Sequence, residues 1–126
     1  MPSILKVEKD GSSELPIPLV WRSDLAKIVE YLISKDSSVI DSLDFAPISK
    51  KNFAYIDQTI DLYGCTLVSL PDESWHTSFY RWMNGFWELW IDLFSLEEGA
   101  SDLVLVVKVF ESDDSYRFEF QSLHVP

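Results

Sequence analysis

The chain has 126 residues, of which 47% are hydrophobic and 14% aromatic, and its formal net charge is −11. This length and composition exclude a disordered chain and predict one globular domain over residues 1–126. A negative charge of this size repels nucleic acid phosphates and anionic lipid, which argues against both as partners and favours a basic protein.

The sequence also predicts a compartment. Its longest apolar run, LVLVV at residues 103–107, is too short to cross a bilayer, and no secretion signal is visible at the N-terminus. The single cysteine, Cys65, excludes an internal disulfide and suits a reducing environment. We therefore expect a cytoplasmic protein that does not associate with membranes.

The charge is unevenly distributed along the chain. Residues 1–35 hold five acids and five bases, whereas residues 36–126 hold sixteen acids and five bases. The whole excess of negative charge therefore belongs to the second segment. Two interpretations stay open: the charge keeps the protein soluble, or it attracts a basic partner.

Residues 1–20 are expected to form an N-terminal arm, because Pro16 and Pro18 prevent a helix there. A first helix is predicted from Trp21 to about residue 35, where apolar residues recur at helical spacing. Those residues are Leu25, Ile28, Val29, Leu32 and Ile33.

A second helix is predicted from Ser49, which can cap its N-terminus, to Tyr63. Gly64 follows, and glycine readily adopts the left-handed conformation that ends many helices. The two predicted helices together occupy residues 21–64.

The remaining segment, residues 65–126, is expected to form an antiparallel sheet. Its predicted strands are residues 65–70, 75–83, 86–94, 102–110 and 116–125. Asn84-Gly85 lies between apolar residues and predicts a two-residue type I′ hairpin. Sequential strands joined by tight turns pair antiparallel. The predicted fold class is α+β, with two N-terminal helices packed on one face of an antiparallel meander of about five strands.

Strand 86–94 is expected to be apolar on one face and mixed on the other. Its apolar face carries Trp87, Leu89, Ile91 and Leu93, and its mixed face carries Phe86, Glu88, Trp90, Asp92 and Phe94. A face exposed only to water has little need of these aromatics. The N-terminal arm, curvature of the sheet, or another chain could cover it, and a homodimer through the sheet is one such arrangement.

Six residues form the predicted partner-binding set: Asp57, Asp61, Trp82, Glu88, Trp90 and Asp92. Asp57 and Asp61 are like charges one turn apart near the C-terminal end of the second helix, where the helix dipole disfavours carboxylates. In this interpretation the carboxylates attract a basic partner and the aromatics anchor it. The alternative interpretation is that the carboxylates are solvated charges without a function.

Chemistry-bearing residues are scarce. Cys65, Trp75 and His76 could share a pocket between helices and sheet, which defines the alternative site, although a small buried cysteine is the commoner case. The two histidines and one cysteine lack metal-ligand spacing, and no glycine-rich loop could hold a phosphate. We predict no catalytic residue, no metal and no cofactor.

Several blocks carry a resemblance: VWRSDLAKIVEYL, YGCTLVSLPDESWHTS, WMNGFWELWIDLF, EEGASDLVL and the closing HVP. Through them, residues 21–126 resemble an uncharacterised family of short, stand-alone bacterial proteins. That resemblance implies no activity and no functional residue. In size, acidity and α+β composition the chain is also similar in type to bacterial immunity proteins, which neutralise a toxin by binding it.

The sequence therefore favours a non-enzymatic, acidic protein-binding domain that acts as an immunity-type inhibitor of a basic partner such as a toxin. The alternative is a small-molecule-binding or hydrolase-like domain that uses the Cys65, Trp75 and His76 pocket.

Overall fold

The computed structural model describes residues 7–126, so the first six residues of the predicted arm lie outside the described ones. The helices in that range are α1 (Leu19–Ser34) and α2 (Lys50–Tyr63), with short 3-10 helices at Ser37–Ile40 and Asp72–His76. The strands are β1 (Leu15–Pro16), β2 (Phe79–Trp82), β3 (Trp87–Ser95), β4 (Gly99–Ser112) and β5 (Ser115–His124).

The five described strands form one sheet in the order β1-β2-β3-β4-β5, and every neighbouring pair is antiparallel. Sheet order therefore follows chain order, as expected when short turns join consecutive strands. Both long helices precede β2 in the chain. The predicted α+β class is confirmed.

Helix α1 begins two residues before the predicted start at Trp21. Pro18 precedes it with φ −69° and ψ 152°, and the proline ring fixes this φ. No side chain caps this end of the helix. The helix ends where Lys35 turns to a left-handed φ of 58° and donates its backbone N–H to the Tyr31 carbonyl. The tyrosine hydroxyl in turn accepts from the backbone N–H of Ile48 at 3.0 Å, which ties α1 to the segment before α2.

Helix α2 has the predicted ends. The Ser49 hydroxyl accepts a hydrogen bond from the Asn52 N–H, and Gly64 has the left-handed φ of 84°. These local signals are strong because each satisfies a backbone group that the helix end would otherwise leave unpaired.

The predicted hairpin between β2 and β3 is also confirmed. Trp82 pairs with Trp87, and the Met83 N–H donates to the Phe86 carbonyl at 2.8 Å, so the loop consists of Asn84 and Gly85 alone. Both loop residues have positive φ, 59° and 144°, as a type I′ turn requires, although the glycine lies wide of the ideal value.

The prediction of a first strand at residues 65–70 is wrong. This segment is extended but contributes only one bridge, between Leu67 and Ser95. It lies beside the end of β3, and Pro71 prevents its extension as a ladder. The edge position next to β2 is instead taken by β1 of the arm, where Leu15 pairs with Tyr80. The next predicted strand, residues 75–83, is shorter than expected because its start belongs to a 3-10 helix.

The core lies between the helices and one face of the sheet. Trp21 of α1 packs edge-on against Tyr80, Trp87 and Tyr116, with ring centroids 5.6, 5.3 and 5.4 Å away. The sheet residues of the core are Trp87, Leu89, Ile91, Leu93, Leu103, Leu105, Val107, Val109, Phe118 and Leu123, all buried. The predicted alternation of β3 is confirmed, because its residues are alternately buried and half-buried along its length.

Candidate binding surfaces

The face of the sheet away from the core is called the open face here. Its residues form five rows across the strands: Phe86, Phe110 and Arg117; Arg81, Glu88, Lys108 and Glu119; Phe79, Trp90, Val106 and Ser122; Asp92, Val104 and His124; Phe94 and Ala100. Its apolar side chains do not belong to the core cluster. The open face is therefore a second, separate layer of side chains on the same strands.

Aromatic rings lie across the open face. Trp90 stacks on Phe79, with ring centroids 5.8 Å apart and planes 11° apart, and meets the edge of His124 at 5.8 Å. Val106, which pairs with Trp90, is only 1% exposed although it does not belong to the core cluster. The rings themselves stay half-buried, so this face is closed only in part by its own side chains.

A second aromatic group lies on the row nearest the β2–β3 turn. Phe86 packs against Phe110 with ring centroids 5.4 Å apart. The Lys108 ammonium lies 4.9 Å from the first ring, and the Arg117 guanidinium lies 4.5 Å from the second. These distances fall within the range of favourable cation–π contacts.

Between the two aromatic groups runs a row of alternating charge. The strand register places Arg81 beside Glu88, Glu88 beside Lys108, and Lys108 beside Glu119. Glu88 is also bonded outside the row, because its carboxylate accepts from the Trp90 indole N–H at 2.8 Å. The row reads positive, negative, positive, negative from β2 to β5, and we call it the charged row.

The open face is neutral as a whole. Its three bases (Arg81, Lys108 and Arg117) balance its three acids (Glu88, Asp92 and Glu119). The other thirteen acids and two bases of residues 36–126 lie outside its rows. The entire net charge of −11 is therefore carried by other parts of the molecule.

One of those parts is the place where the C-terminal end of α2 meets the β3–β4 hairpin. Tyr63 donates its hydroxyl hydrogen to Glu98 and accepts from the Asp102 N–H at 3.0 Å. Glu97 accepts from the backbone N–H and the hydroxyl of Thr66, both at 2.8 Å. These bonds attach the hairpin to the end of the helix.

The same bonds act on the ionisation of the groups involved. The Thr66 backbone N–H, and then its hydroxyl, lower the pKa of Glu97 below its ordinary value. The bond to Glu98 raises the pKa of the Tyr63 hydroxyl, since it favours the protonated phenol. Both effects keep the Glu97 carboxylate ionised and the Tyr63 phenol protonated at neutral pH.

Two leucines project from this region into solvent. Leu62 is 81% exposed and Leu96 is 73% exposed. The same elements carry four carboxylates on exposed residues: Asp61 next to Leu62 on α2, and Glu97, Glu98 and Asp102 on the β3–β4 hairpin. We call these six residues the acidic end. No lysine or arginine occurs in residues 52–80 or 82–107, so the acidic end has no basic neighbour along the chain.

The structure divides the predicted partner-binding set between three places. Asp61 belongs to the acidic end, and Asp57, one turn earlier on α2, pairs with Lys35 at 3.1 Å. The open face holds three more of the set: Glu88, Trp90 and Asp92.

Trp82 is not on the open face. Its register with Trp87 turns it to the core side, where the two rings lie 5.0 Å apart and the Lys9 ammonium lies 5.3 Å from the Trp82 ring. The structure therefore does not bring the six predicted residues into one contact surface, because the helices and the open face lie on opposite sides of the sheet.

The alternative pocket is also divided. Cys65 lines a groove of about 220 Å³ with Leu32 and Asp57, whereas Trp75 and His76 line a separate groove of about 500 Å³. Cys65 is half-buried, and burial, followed by the charges of Glu97 and Glu98, raises the pKa of its thiol. A raised pKa disfavours the reactive thiolate. The structure therefore does not assemble Cys65, Trp75 and His76 into one site.

Residues 7–126 contain no cluster of three or more His, Cys, Asp or Glu residues placed to hold a metal ion. In the same range, no helix combines the length and the apolar character needed to span a membrane.

Sequence reasoning missed Leu62 and Leu96. Leu62 falls off the stripe formed by Phe53, Ile56 and Ile60, which could have indicated an exposed position. Leu96 lies in the SLEEGAS loop, and its nearness to α2 depends on the tertiary contacts of the hairpin.

The fold and these surfaces define an acidic α+β protein with two helices on one face of an antiparallel sheet and a neutral, aromatic second face. A family model described as "Domain of unknown function (DUF7668)" matches residues 29–126, which is most of the chain, and the chain belongs to this family. No curated protein and no solved structure matches. The prediction of an uncharacterised family is confirmed, and the match begins within α1, after Trp21.

Proposed function

We propose that this protein is a non-enzymatic binding domain that captures a basic protein through its acidic end. The observation that carries the proposal is the exposure of Leu62 and Leu96, 81% and 73%, among four carboxylates. Exposed leucines supply apolar contact area, and surrounding charges of one sign select a partner of the opposite sign.

The arrangement of the acidic end supports such a role. The bonds from Tyr63 to Glu98 and from Thr66 to Glu97 fix the hairpin before any partner arrives. Binding to a surface that is already ordered avoids the entropic cost of ordering it on contact. Asp61 and the C-terminal end of the α2 dipole add further negative potential at the same place.

The distribution of charge over the molecule supports the same partner chemistry. Because the open face is neutral, the field of the remaining −11 attracts a basic protein to the other surfaces. An immunity-type inhibitor of a basic toxin has this requirement, since it acts by occupying its partner and needs no reacting group. Asp57 contributes less than Asp61 because Lys35 partly neutralises it.

The proposal is tested with three immobilised forms of the protein. The wild type and Leu19→Ser should retain the same basic protein from an extract of the cells that produce this protein or of cells that compete with them. The double variant Leu62→Ser/Leu96→Ser should not retain that basic protein. Leu19 is a matched control because it is 75% exposed but lies at the start of α1. Retention by all three forms would contradict a role for the acidic end, as would no retention by any of them.

Kinetics with the purified partner test the electrostatic part. Asp57→Lys/Asp61→Lys should slow association by about tenfold at low salt and leave dissociation nearly unchanged. The control Asp41→Lys/Asp44→Lys changes the net charge equally, in the segment before α2. Equal slowing by both pairs would mean that only net charge matters and would contradict attraction at the acidic end.

A further inference from the structure

The charged row is complementary to a reversed copy of itself. From β2 to β5 it reads Arg81, Glu88, Lys108, Glu119, so reversing its direction exchanges every positive position for a negative one. A two-fold axis that runs along the strands, between β3 and β4, performs this reversal for two sheets packed face to face. We infer that the open face is an interface between two copies of this chain.

In that arrangement each charge in the row meets its opposite. Arg81 lies over Glu119 of the second copy, and Glu88 lies over Lys108 of the second copy, with both contacts made twice. Two-fold symmetric interfaces have this self-complementary form. In a self-repelling face, like charges would lie opposite one another. An alternating row with an even number of charges avoids this, because its reversal exchanges the signs.

The aromatic rows on either side match in the same way. The axis brings Phe86 over Phe110 of the second copy, and Trp90 over Val106 of the second copy. The rings of Phe86, Phe110 and Trp90 would thus be covered by apolar partners, whereas Phe79 would lie over Ser122 of the second copy. Aligned face-to-face packing at about 10 Å is a standard arrangement of two antiparallel sheets.

The sequence also suggested that the N-terminal arm could cover this face. The described residues of the arm, from residue 7 onward, lie on the other side of the sheet or, in β1, at its edge. Its Glu8 carbonyl accepts from the indole N–H of Trp87 at 2.9 Å, and its Lys9 pairs with Glu111 at 2.9 Å. Trp87 is a core residue, so these contacts hold the arm on the core side of the sheet. Two copies of this acidic protein repel each other through their negative net charge. Because the open face is neutral, that charge lies outside the contact.

The size of the face sets the expected strength. Three strands with about seven residues each in the face and the four-residue β2, about 4.8 Å apart, cover roughly 400 Å² per copy, and therefore roughly 800 Å² in total. Interfaces of this size lie at the low end for specific complexes, so we expect a weak, reversible dimer. The acidic ends lie outside the interface, and the dimer would carry two of them.

Sedimentation of four samples tests the inference: the wild type, Glu88→Lys, Lys108→Glu, and an equal mixture of the two variants. The wild type should form a reversible dimer with a dissociation constant below about 500 μM. For each variant alone the dissociation constant should be at least about tenfold higher. Their mixture should recover the wild-type affinity, because the two-fold arrangement then pairs Lys with Glu at both contacts.

Recovery in the mixture separates the interface from effects within one chain. Glu88 and Lys108 are also neighbours in the same sheet, so each variant keeps its own internal like-charge pair whether mixed or not. A monomeric wild type, or a mixture no stronger than its components, would overturn the inference. If Glu88→Lys does not fold, the pair Arg81→Glu and Glu119→Arg makes the same test at the outer contacts.

These outcomes are independent of the proposed capture of a basic protein, because the Leu62 and Leu96 variants leave the open face unchanged.

Discussion

Two tryptophans three positions apart in β3 have opposite environments. Trp87 is 1% exposed, contacts the rings of Trp21 and Tyr116, and donates its indole N–H to the carbonyl of Glu8. Trp90 is half-buried, stacks on Phe79, and donates to a carboxylate of its own face. An odd separation within a strand places two side chains on opposite faces, so identical residues serve the core in one case and a surface in the other.

The comparison extends to the whole of each face. The core-face rows from Trp87 to Leu93 consist of buried apolar side chains, and they pack against the helices. Open-face rows alternate between aromatic and charged residues, and their polar atoms are bonded mainly to one another. One face therefore accounts for stability, whereas the other can be altered with less effect on folding. The following predictions measure that difference.

The largest effect is expected for Trp87→Ala. Removal of a fully buried tryptophan leaves a large cavity and should lower the free energy of unfolding by about 3–5 kcal/mol. Urea denaturation followed by circular dichroism measures this loss. If the variant does not fold, Trp87→Phe fills most of the cavity and should remain measurable. A loss below that of Trp90→Ala would contradict the assignment of the two faces.

Ser78→Ala tests how the strand is held next to the open face. The buried Ser78 hydroxyl accepts from the Asp92 N–H at 2.9 Å, close to the register shift between β3 and β4. Without it this N–H loses its partner, which should cost about 1–3 kcal/mol of unfolding free energy. Ser122→Ala, on the open face, is the matched control and should cost less. Equal costs would mean that the bond to Asp92 contributes little.

Trp90→Ala should cost less than Trp87→Ala. The ring is only partly removed from water, so we expect a loss of about 1–2 kcal/mol in the same denaturation experiment. The variant should stay folded and, if the inferred dimer forms, should weaken it. Complete unfolding of this variant would instead make the open face part of the core.

The smallest effect concerns the acidic end and pH. The pKa of Glu97 is lowered in the folded state, so its contribution is present above its unfolded pKa and lost as pH falls through the folded pKa. Glu97→Gln should therefore lower the melting temperature slightly at pH 7 and hardly at all at pH 3. Asp114→Asn, at the β4–β5 turn, is the control. An equal decrease in melting temperature at both pH values would contradict the link between the ionisation of Glu97 and stability.

The sequence was sufficient where the signals are local. Ser49 and Gly64 mark the ends of α2, and Asn84-Gly85 marks the hairpin, because each satisfies a backbone requirement within a few residues. Alternation along β3 was sufficient to separate its two faces. Residues 65–70 have strand-forming composition as well, but pairing depends on which edge is free, and β1 takes the edge beside β2.

The surfaces were harder to predict because they depend on register. Arg81, Glu88, Lys108 and Glu119 are far apart in the chain, and only the pairing of four strands brings them into one row. For the same reason the sequence alone left the face of Trp82 open, and only its register with Trp87 places it on the core side. Leu96 becomes part of the acidic end only through contacts between its hairpin and α2.

The position of β1 has a consequence for folding kinetics. Strands β2 to β5 are joined to their neighbours by short turns, whereas Leu15 of β1 must find Tyr80 across about half of the chain. Local contacts form faster than contacts between distant segments, so we expect the β2–β5 meander to form early and β1 with the start of α1 to dock last. A destabilising change in β1 should then mainly accelerate unfolding, and one at Gly85 should mainly slow refolding.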